Sequence, residues 1–297
     1  MSIDAFSIES GLTDKNVHIR LSWSNRTDFT PTPEQVERGL TDENVEVRAA
    51  WAYRIDFIPN PQQIERGLTD SCYEVKWAWA ERMDFTPTPE QIERGLTDLE
   101  DVIRLVWASR KDYTPTPEQV ERGLKDRSPE VRKAWAERMD WTPTLEQIEK
   151  GLTDKHTDVR KAWSQRMDFT PTPKQVERGL TDESPEIRRA WAQRMDYTPS
   201  SEQVEHGLTD TAVLVRMEWA ARCDFTPTSE QIERGINDKS LKVVLAWLHR
   251  HDITWTEAQI ERGLQHDNAK VRSSWEDILR RQNEQSHECH ESIMASI

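Results

Sequence analysis

The sequence predicts an all-α protein, a solenoid or superhelix of ten 28-residue helix-pair repeats. Three observations carry this. All ten glycines lie 28 residues apart, at Gly11, Gly39, Gly67, Gly95, Gly123, Gly151, Gly179, Gly207, Gly235 and Gly263. Ten of the thirteen tryptophans keep the same period, from Trp23 to Trp275, each twelve residues after its glycine. Each unit also carries two helix-start signals within the pattern G-L-T-D-x4-[VI]-R-x-A-W-A-x-R-x-D-[FYW]-T-P-T-P-E-Q-[VI]-E-R. A fixed period in this range means stacked supersecondary units that bury a core only against their neighbours.

The elements follow in chain order. Residues 4–12 match a lone second helix of the repeat and are expected to form an N-terminal cap. That second helix, helix B, opens on a capping box such as Thr32-Pro33-Glu34-Gln35 or Thr88-Pro89-Glu90-Gln91. Threonine is the N-cap, proline takes the first helical position and glutamine the third. Val36 and Leu40, four apart, are its apolar positions. The glycine falls at its end, either as a left-handed C-cap or as a close-packing point beneath the indole; both readings stand. Helix A opens after the aspartate, with serine and proline as start signals in Ser128-Pro129 and Ser184-Pro185. Asn16, Asn44, Ser240 and Asn268 hold the same cap position. Helix A should run about ten residues and stop near the Asp-aromatic-Thr-Pro stretch, because a residue before proline disfavours the α region. Its tryptophan is the core knob: about 200 Å² buried, on the order of 5 kcal/mol per repeat as an upper bound. The expected organisation is one repeat domain over 1–280 and a polar tail over 281–297 that extends the last helix and then frays.

Composition excludes several classes. The 297 residues carry 54 acids against 40 lysines and arginines, a net charge of -14, which argues against a general nucleic-acid coat. No apolar run approaches the ~18 residues of a membrane span. Residues 1–15 lack the features of a signal peptide, so a cytoplasmic location is expected. Three cysteines without a spacing pattern make neither a disulfide scaffold nor a zinc site.

The run T-P-E-Q-x-x-x-x-L-x-D-x4-V-R-x-A, over residues 4 to about 280, resembles bacterial α-solenoids of the leucine-rich repeat variant type and, more loosely, HEAT-like repeats. The resemblance implies a right-handed αα superhelix with a helix B of partly 3₁₀ character. This chain departs from that group in its 28-residue period and its tryptophan. The cysteine cluster for the iron–sulfur module of one member has no counterpart. A weaker likeness is to the DNA-reading repeats of TAL effectors, through Thr116-Pro117-Glu118-Gln119-Val120; their glycine-rich base-reading loop is missing.

Comparison among the repeats separates framework from variable positions. One arginine row, Arg20, Arg48, Arg104, Arg132, Arg160, Arg188 and Arg216, follows the helix A valine or isoleucine. A second runs from Arg26 to Arg250, with aspartates two residues on, from Asp28 to Asp252. Glu37 to Glu261 form a third row. The favoured reading is an ion-pair ladder between adjacent units. The alternative is a phosphate-binding stripe built on the first row. Positions seven, ten and fourteen after the glycine vary and share one face of helix A. They are charged or polar in the middle repeats, as in Glu130, Lys133 and Glu137, or Asp158, Lys161 and Gln165, or Glu186, Arg189 and Gln193. Tyr53, Trp77, Val102 and Leu105 turn the face apolar in repeats two to four; Leu214, Met217, Leu241 and Leu245 do so in repeats eight and nine. Two exposed apolar patches are therefore expected, unless local twist buries them.

No catalytic, cofactor or metal constellation stands out. His249, His251 and His266 lack the spacing of a helical metal site, and His287, Cys289 and His290 lie in the tail. The expected function is a non-catalytic protein-binding scaffold, with self-association through the apolar patches as a further outcome. The rivals are an acidic mimic of a nucleic-acid backbone and nucleic-acid binding through the arginine rows.

Overall fold

The structure is a computed structural model that describes residues 4–294, with side-chain surroundings up to Glu284. His287, Cys289 and His290 lie outside the described side chains, and the end of the tail, residues 295–297, lies outside the described backbone. The chain divides into two compact units between Pro143 and Thr144. Among the described residues all regular secondary structure is helical.

The first unit begins with α1 (Ala5–Leu12), α2 (Val17–Ser24), α3 (Pro33–Leu40), α4 (Val45–Ala52) and α5 (Pro61–Leu68). It continues with α6 (Tyr73–Glu81), α7 (Pro89–Leu96), α8 (Asp101–Ser109), α9 (Pro117–Gly123) and α10 (Pro129–Ala136). The second unit begins with α11 (Leu145–Leu152), α12 (Thr157–Ser164), α13 (Pro173–Leu180), α14 (Pro185–Gln193) and α15 (Ser201–Leu208). It ends with α16 (Val213–Ala221), α17 (Ser229–Ile236), α18 (Leu241–Leu248), α19 (Glu257–Leu264) and α20 (Ala269–Met294). Odd-numbered helices are the helix B elements and even-numbered ones the helix A elements. Within each unit every helix B packs on the helix A that follows it, and successive A helices pack on one another.

Every helix B from α3 to α19 starts with a complete capping box. In α3, Gln35 N–H donates to Thr32 Oγ1 at 3.3 Å and Thr32 N–H donates to Gln35 Oε1 at 3.0 Å. Eight-residue helices are marginal alone, so these caps and the stacking together hold them. The helix A starts depart from expectation. Asn16, Asn44 and Asn268 cap as predicted, but Ser128, Ser184 and Ser240 make no side-chain cap bond. The Ser128 and Ser184 hydroxyls donate instead to Glu130 and Glu186, at 2.7 and 2.8 Å. The preceding turn is held by the aspartate three residues after the glycine, which accepts a backbone N–H two residues on, as Asp126 does from Ser128 at 2.9 Å. Helix A is also shorter than expected, eight or nine residues before the long terminal helix.

The glycine question resolves to packing. No described glycine has a positive φ. A Cβ built on Gly67 would sit 2.1 Å from Trp79 Nε1, so the indole lies flat on the glycine backbone. All ten glycines face their tryptophans in this way. Trp51 is 1% exposed, whereas Trp23, in the first helix pair, stays half-buried. Within each unit, a preceding repeat therefore completes the burial of the indole that follows it. At the other end α20 continues through the expected boundary at 281. Val271, Trp275 and Ile278 of α20 are buried, and Trp255 packs edge-on against Trp275 at 5.0 Å. Trp255 replaces the proline of the repeat, and Gln282 Nε2 donates to its carbonyl at 3.0 Å.

Candidate partner-binding faces

The framework charges are engaged inside the stack. Arg20 grips Asp42 of the next repeat with Nε at 2.8 Å and Nη2 at 2.9 Å, and its Nη1 donates to Asp14 O at 3.0 Å. Arg48–Asp70, Arg104–Asp126, Arg160–Asp182, Arg188–Asp210 and Arg216–Asp238 repeat the fork. Lys76 reaches Asp98 with a single contact at 2.6 Å. Arg132 donates to Asp126 O and Arg127 O at 2.8 and 3.3 Å. These bonds form an ion-pair ladder between adjacent repeats, with the guanidiniums of Arg20, Arg48, Arg104, Arg160, Arg188 and Arg216 on aspartates of the next repeat. Burial alone would push Asp70 up; the Arg48 fork and the Cys72 N–H more than offset it and hold Asp70 below its ordinary value.

The second row works differently from the expected ladder. Arg54 pairs with Asp56 of its own loop, Nε–Oδ1 at 3.0 Å. Its inter-repeat bonds go to backbone carbonyls of the preceding unit, Ser24 O at 2.9 Å and Phe29 O at 3.3 Å. Its Cζ lies 4.8 Å from the Phe29 ring centre and 5.0 Å from that of Trp51. Arg138, at the same register, is 0% exposed. The loop between helices A and B leaves carbonyls that need donors, and a guanidinium offers five N–H groups in a fixed fork.

Helix B supplies a third tie. Glu37 accepts from Arg66 Nη1 at 2.8 Å and from Gln63 Nε2 at 3.1 Å. The capping-box glutamine therefore both caps its helix and links two repeats, a second role that the spacing does not reveal. Glu149 accepts from Arg178 at 2.6 Å and Gln175 at 3.1 Å; the Arg178 bond is the main cause of its carboxyl being lowered to about 2.

With the framework committed, positions seven and fourteen of helix A are exposed, and position ten is half-buried in repeats one to nine except at Trp77. In the second unit a groove of about 470 Å³ is lined by Lys161, Gln165, Pro185, Glu186, Arg189, Gln193, Val213 and Leu214 among others. Register positions six, seven, ten and fourteen after the glycine thus share one surface. A second groove of about 360 Å³ holds Met217, Ala221, Cys223, Lys242, Leu245 and His249. Between them Glu218 accepts from Arg189 Nε at 2.8 Å and Gln193 Nε2 at 2.9 Å. Leu214 and Leu241 are exposed; Met217 and Leu245 are half-buried.

In the first unit Tyr53 is 51% exposed, Trp77 38% and Val102 37%, with Leu105 half-buried against the core. Tyr73, one turn before Trp77, is exposed too. Burial and the nearby Glu81 charge push the Tyr53 hydroxyl up; Glu74 and, more weakly, Glu100 do the same to Tyr73. The position sixteen after the glycine escaped the sequence reading. It places Ile55, Met83, Met139, Met167 and Met195 on the surface, Ile55 at 90% exposure. The same repeat comparison that exposes the variable face carries its signal, an apolar residue between the second-row arginine and its aspartate.

Among the described residues no group of three or more His, Cys, Asp or Glu side chains is set to hold a metal. His266 accepts the Asn268 N–H at 3.0 Å, and His251 contacts Arg281. No described helix is long and apolar enough to cross a membrane.

A core built from repeated helix pairs defines the class, a helical-repeat solenoid. Within it, the chain is similar to a solved structure described as a leucine-rich repeat variant with a novel repetitive protein structural motif. The two share 21% identity over 80% of this chain and 87% of that one, with a TM-score of 0.55, a likeness of fold. A HEAT repeat associated with sister chromatid cohesion matches residues 174–190. No curated protein matches.

Proposed function

We propose that this protein is a non-catalytic binding scaffold that docks protein partners on the outward face of its A helices. One observation carries the reading. The buried tryptophans and the two arginine rows are engaged inside the stack, while positions seven and fourteen are exposed, position ten is half-buried in repeats one to nine except at the exposed Trp77, and all three differ from repeat to repeat. Two stretches of that face expose apolar side chains, around Trp77 and around Leu245, and exposed apolar patches of this kind mark contact surfaces. The arginine forks on aspartate weigh against phosphate binding through the first row.

The test is affinity capture from the native cytoplasm at low and raised salt, with and without nuclease. A protein that survives both treatments and is lost with Trp77→Ala/Leu105→Ala or Leu214→Ala/Leu245→Ala supports the scaffold. Capture that needs nucleic acid, or that ignores all four substitutions, overturns it.

A further inference from the structure

The face of repeats two to four has a composition that the rest of the helix A surface lacks. At positions six, seven, ten and fourteen after the glycine it carries four carboxylates, Glu46, Glu74, Glu81 and Asp101, and no lysine or arginine; the exposed Lys111 stands at position sixteen of repeat four. Among the carboxylates stand the exposed rings of Tyr53, Tyr73 and Trp77. The nearest framework cations are committed elsewhere: Lys76 to Asp98 and Arg104 to Asp126.

The interior of the protein shows what such a combination holds. Each buried second-row arginine lies over a tryptophan ring with a carboxylate closing its edge. For Arg82, the Trp79 ring centre is 5.3 Å away, the Phe57 ring centre 4.6 Å and Asp84 Oδ1 3.0 Å. The surface of repeats two to four offers the same two ingredients, aromatic faces and carboxylates, without the cation. Ring quadrupoles and carboxylates act on a cation additively, and each is stronger when the partner excludes water.

We infer that this acidic aromatic face docks a cationic peptide segment, one whose lysines or arginines lie over Trp77, Tyr53 and Tyr73 and pair with Glu74 and Glu81. The inference rests on the scaffold reading and gives one of its two patches a partner chemistry. The second patch, in repeats eight and nine, has no carboxylate at the same positions and carries Lys242 and His249, so it serves as the internal control.

The experiment selects random dodecapeptides displayed on phage against the full chain, with Trp77→Ala protein as the counter-target. Trp77 is off the core, and an unchanged circular dichroism spectrum checks the fold of the variant. The expected result is that clones bound by the parent and lost to Trp77→Ala are enriched in lysine and arginine. A synthetic peptide from that group should bind about tenfold more weakly to Trp77→Ala and to Glu74→Gln/Glu81→Gln, the size of a hot-spot loss. It should bind Leu245→Ala as well as the parent, and should weaken as NaCl rises. Trp77-dependent clones of neutral or acidic composition would overturn the cationic partner and leave the docking face intact. If no clone depends on Trp77, the inference falls. The scaffold reading is then judged separately by native capture with the Leu214→Ala/Leu245→Ala variant.

Discussion

The faces of repeats two to four and of repeats eight and nine grow from the same template and differ in chemistry. Both stand on a glycine that receives an indole, an arginine inserted into the preceding loop and a capping box. Both expose apolar side chains at the same register. The first mixes Tyr53, Tyr73 and Trp77 with carboxylates; the second is aliphatic, with Leu214, Met217, Leu241 and Leu245 and a weakly basic rim. Because the framework is engaged internally, the outward positions are free to change without disturbing the stack. Binding chemistry can therefore vary along a surface whose geometry does not.

The largest effects should strike both regions alike. Gly67→Ala and Gly207→Ala each place a methyl carbon 2.1 Å from an indole nitrogen, and neither backbone nor ring can yield cheaply. Each should cost more than about 3 kcal/mol and lower the denaturant midpoint, read by circular dichroism. A benign Gly207→Ala beside a damaging Gly67→Ala would break the shared-framework argument. Next come Arg82→Ala and Arg222→Ala, one in each region. Each strands loop carbonyls and a partly buried aspartate, for an expected loss of about 3–5 kcal/mol.

Smaller effects should separate the regions. Trp77→Ala should leave stability within about 1 kcal/mol of the parent while removing partner binding on the first face. Leu245→Ala should spare that binding; a calorimetric titration against the captured partner decides. Acid should act on the tie between helices B. Folded Glu149 lies at about 2 against an ordinary 4.5, because Arg178 and Gln175 bond its ionised form. A carboxyl lowered by folding contributes stability that is present above pH 4.5 and lost as the pH falls toward 2. The thermal midpoint should drop over that window, and Glu149→Gln should show a shallower drop in a melt series.

The smallest effect concerns the last interface. There the arginine–aspartate fork is replaced on both sides, by Val244 and His266. Val244 is buried, and His266 takes over the aspartate's bond to the turn by accepting from Asn268. Val244→Arg/His266→Asp should restore the fork and stabilise by about 1 kcal/mol or less, whereas Val244→Arg alone should destabilise. Equal behaviour of the single and double variants in urea melts would show that the two positions are uncoupled.

Much of this was legible in the residues alone. The period, the helix pairing, the helix B capping boxes, the tryptophan core and the exposure of Trp77 follow from local rules. Phase, cap chemistry and helical spacing act within a few residues and leave a direct trace in the order of amino acids. The tertiary structure decided what lies between repeats. It assigned the glycine to packing under the indole rather than to a turn, because the ring arrives from another helix. It sent the second arginine row to backbone carbonyls, which no sequence displays as partners. It gave the capping glutamine its bond to the preceding glutamate, and it surfaced the methionines at position sixteen. These contacts join atoms about 12 to 30 residues apart, and only the stacking of one helix pair on the next brings them within a hydrogen bond or a ring's thickness of each other.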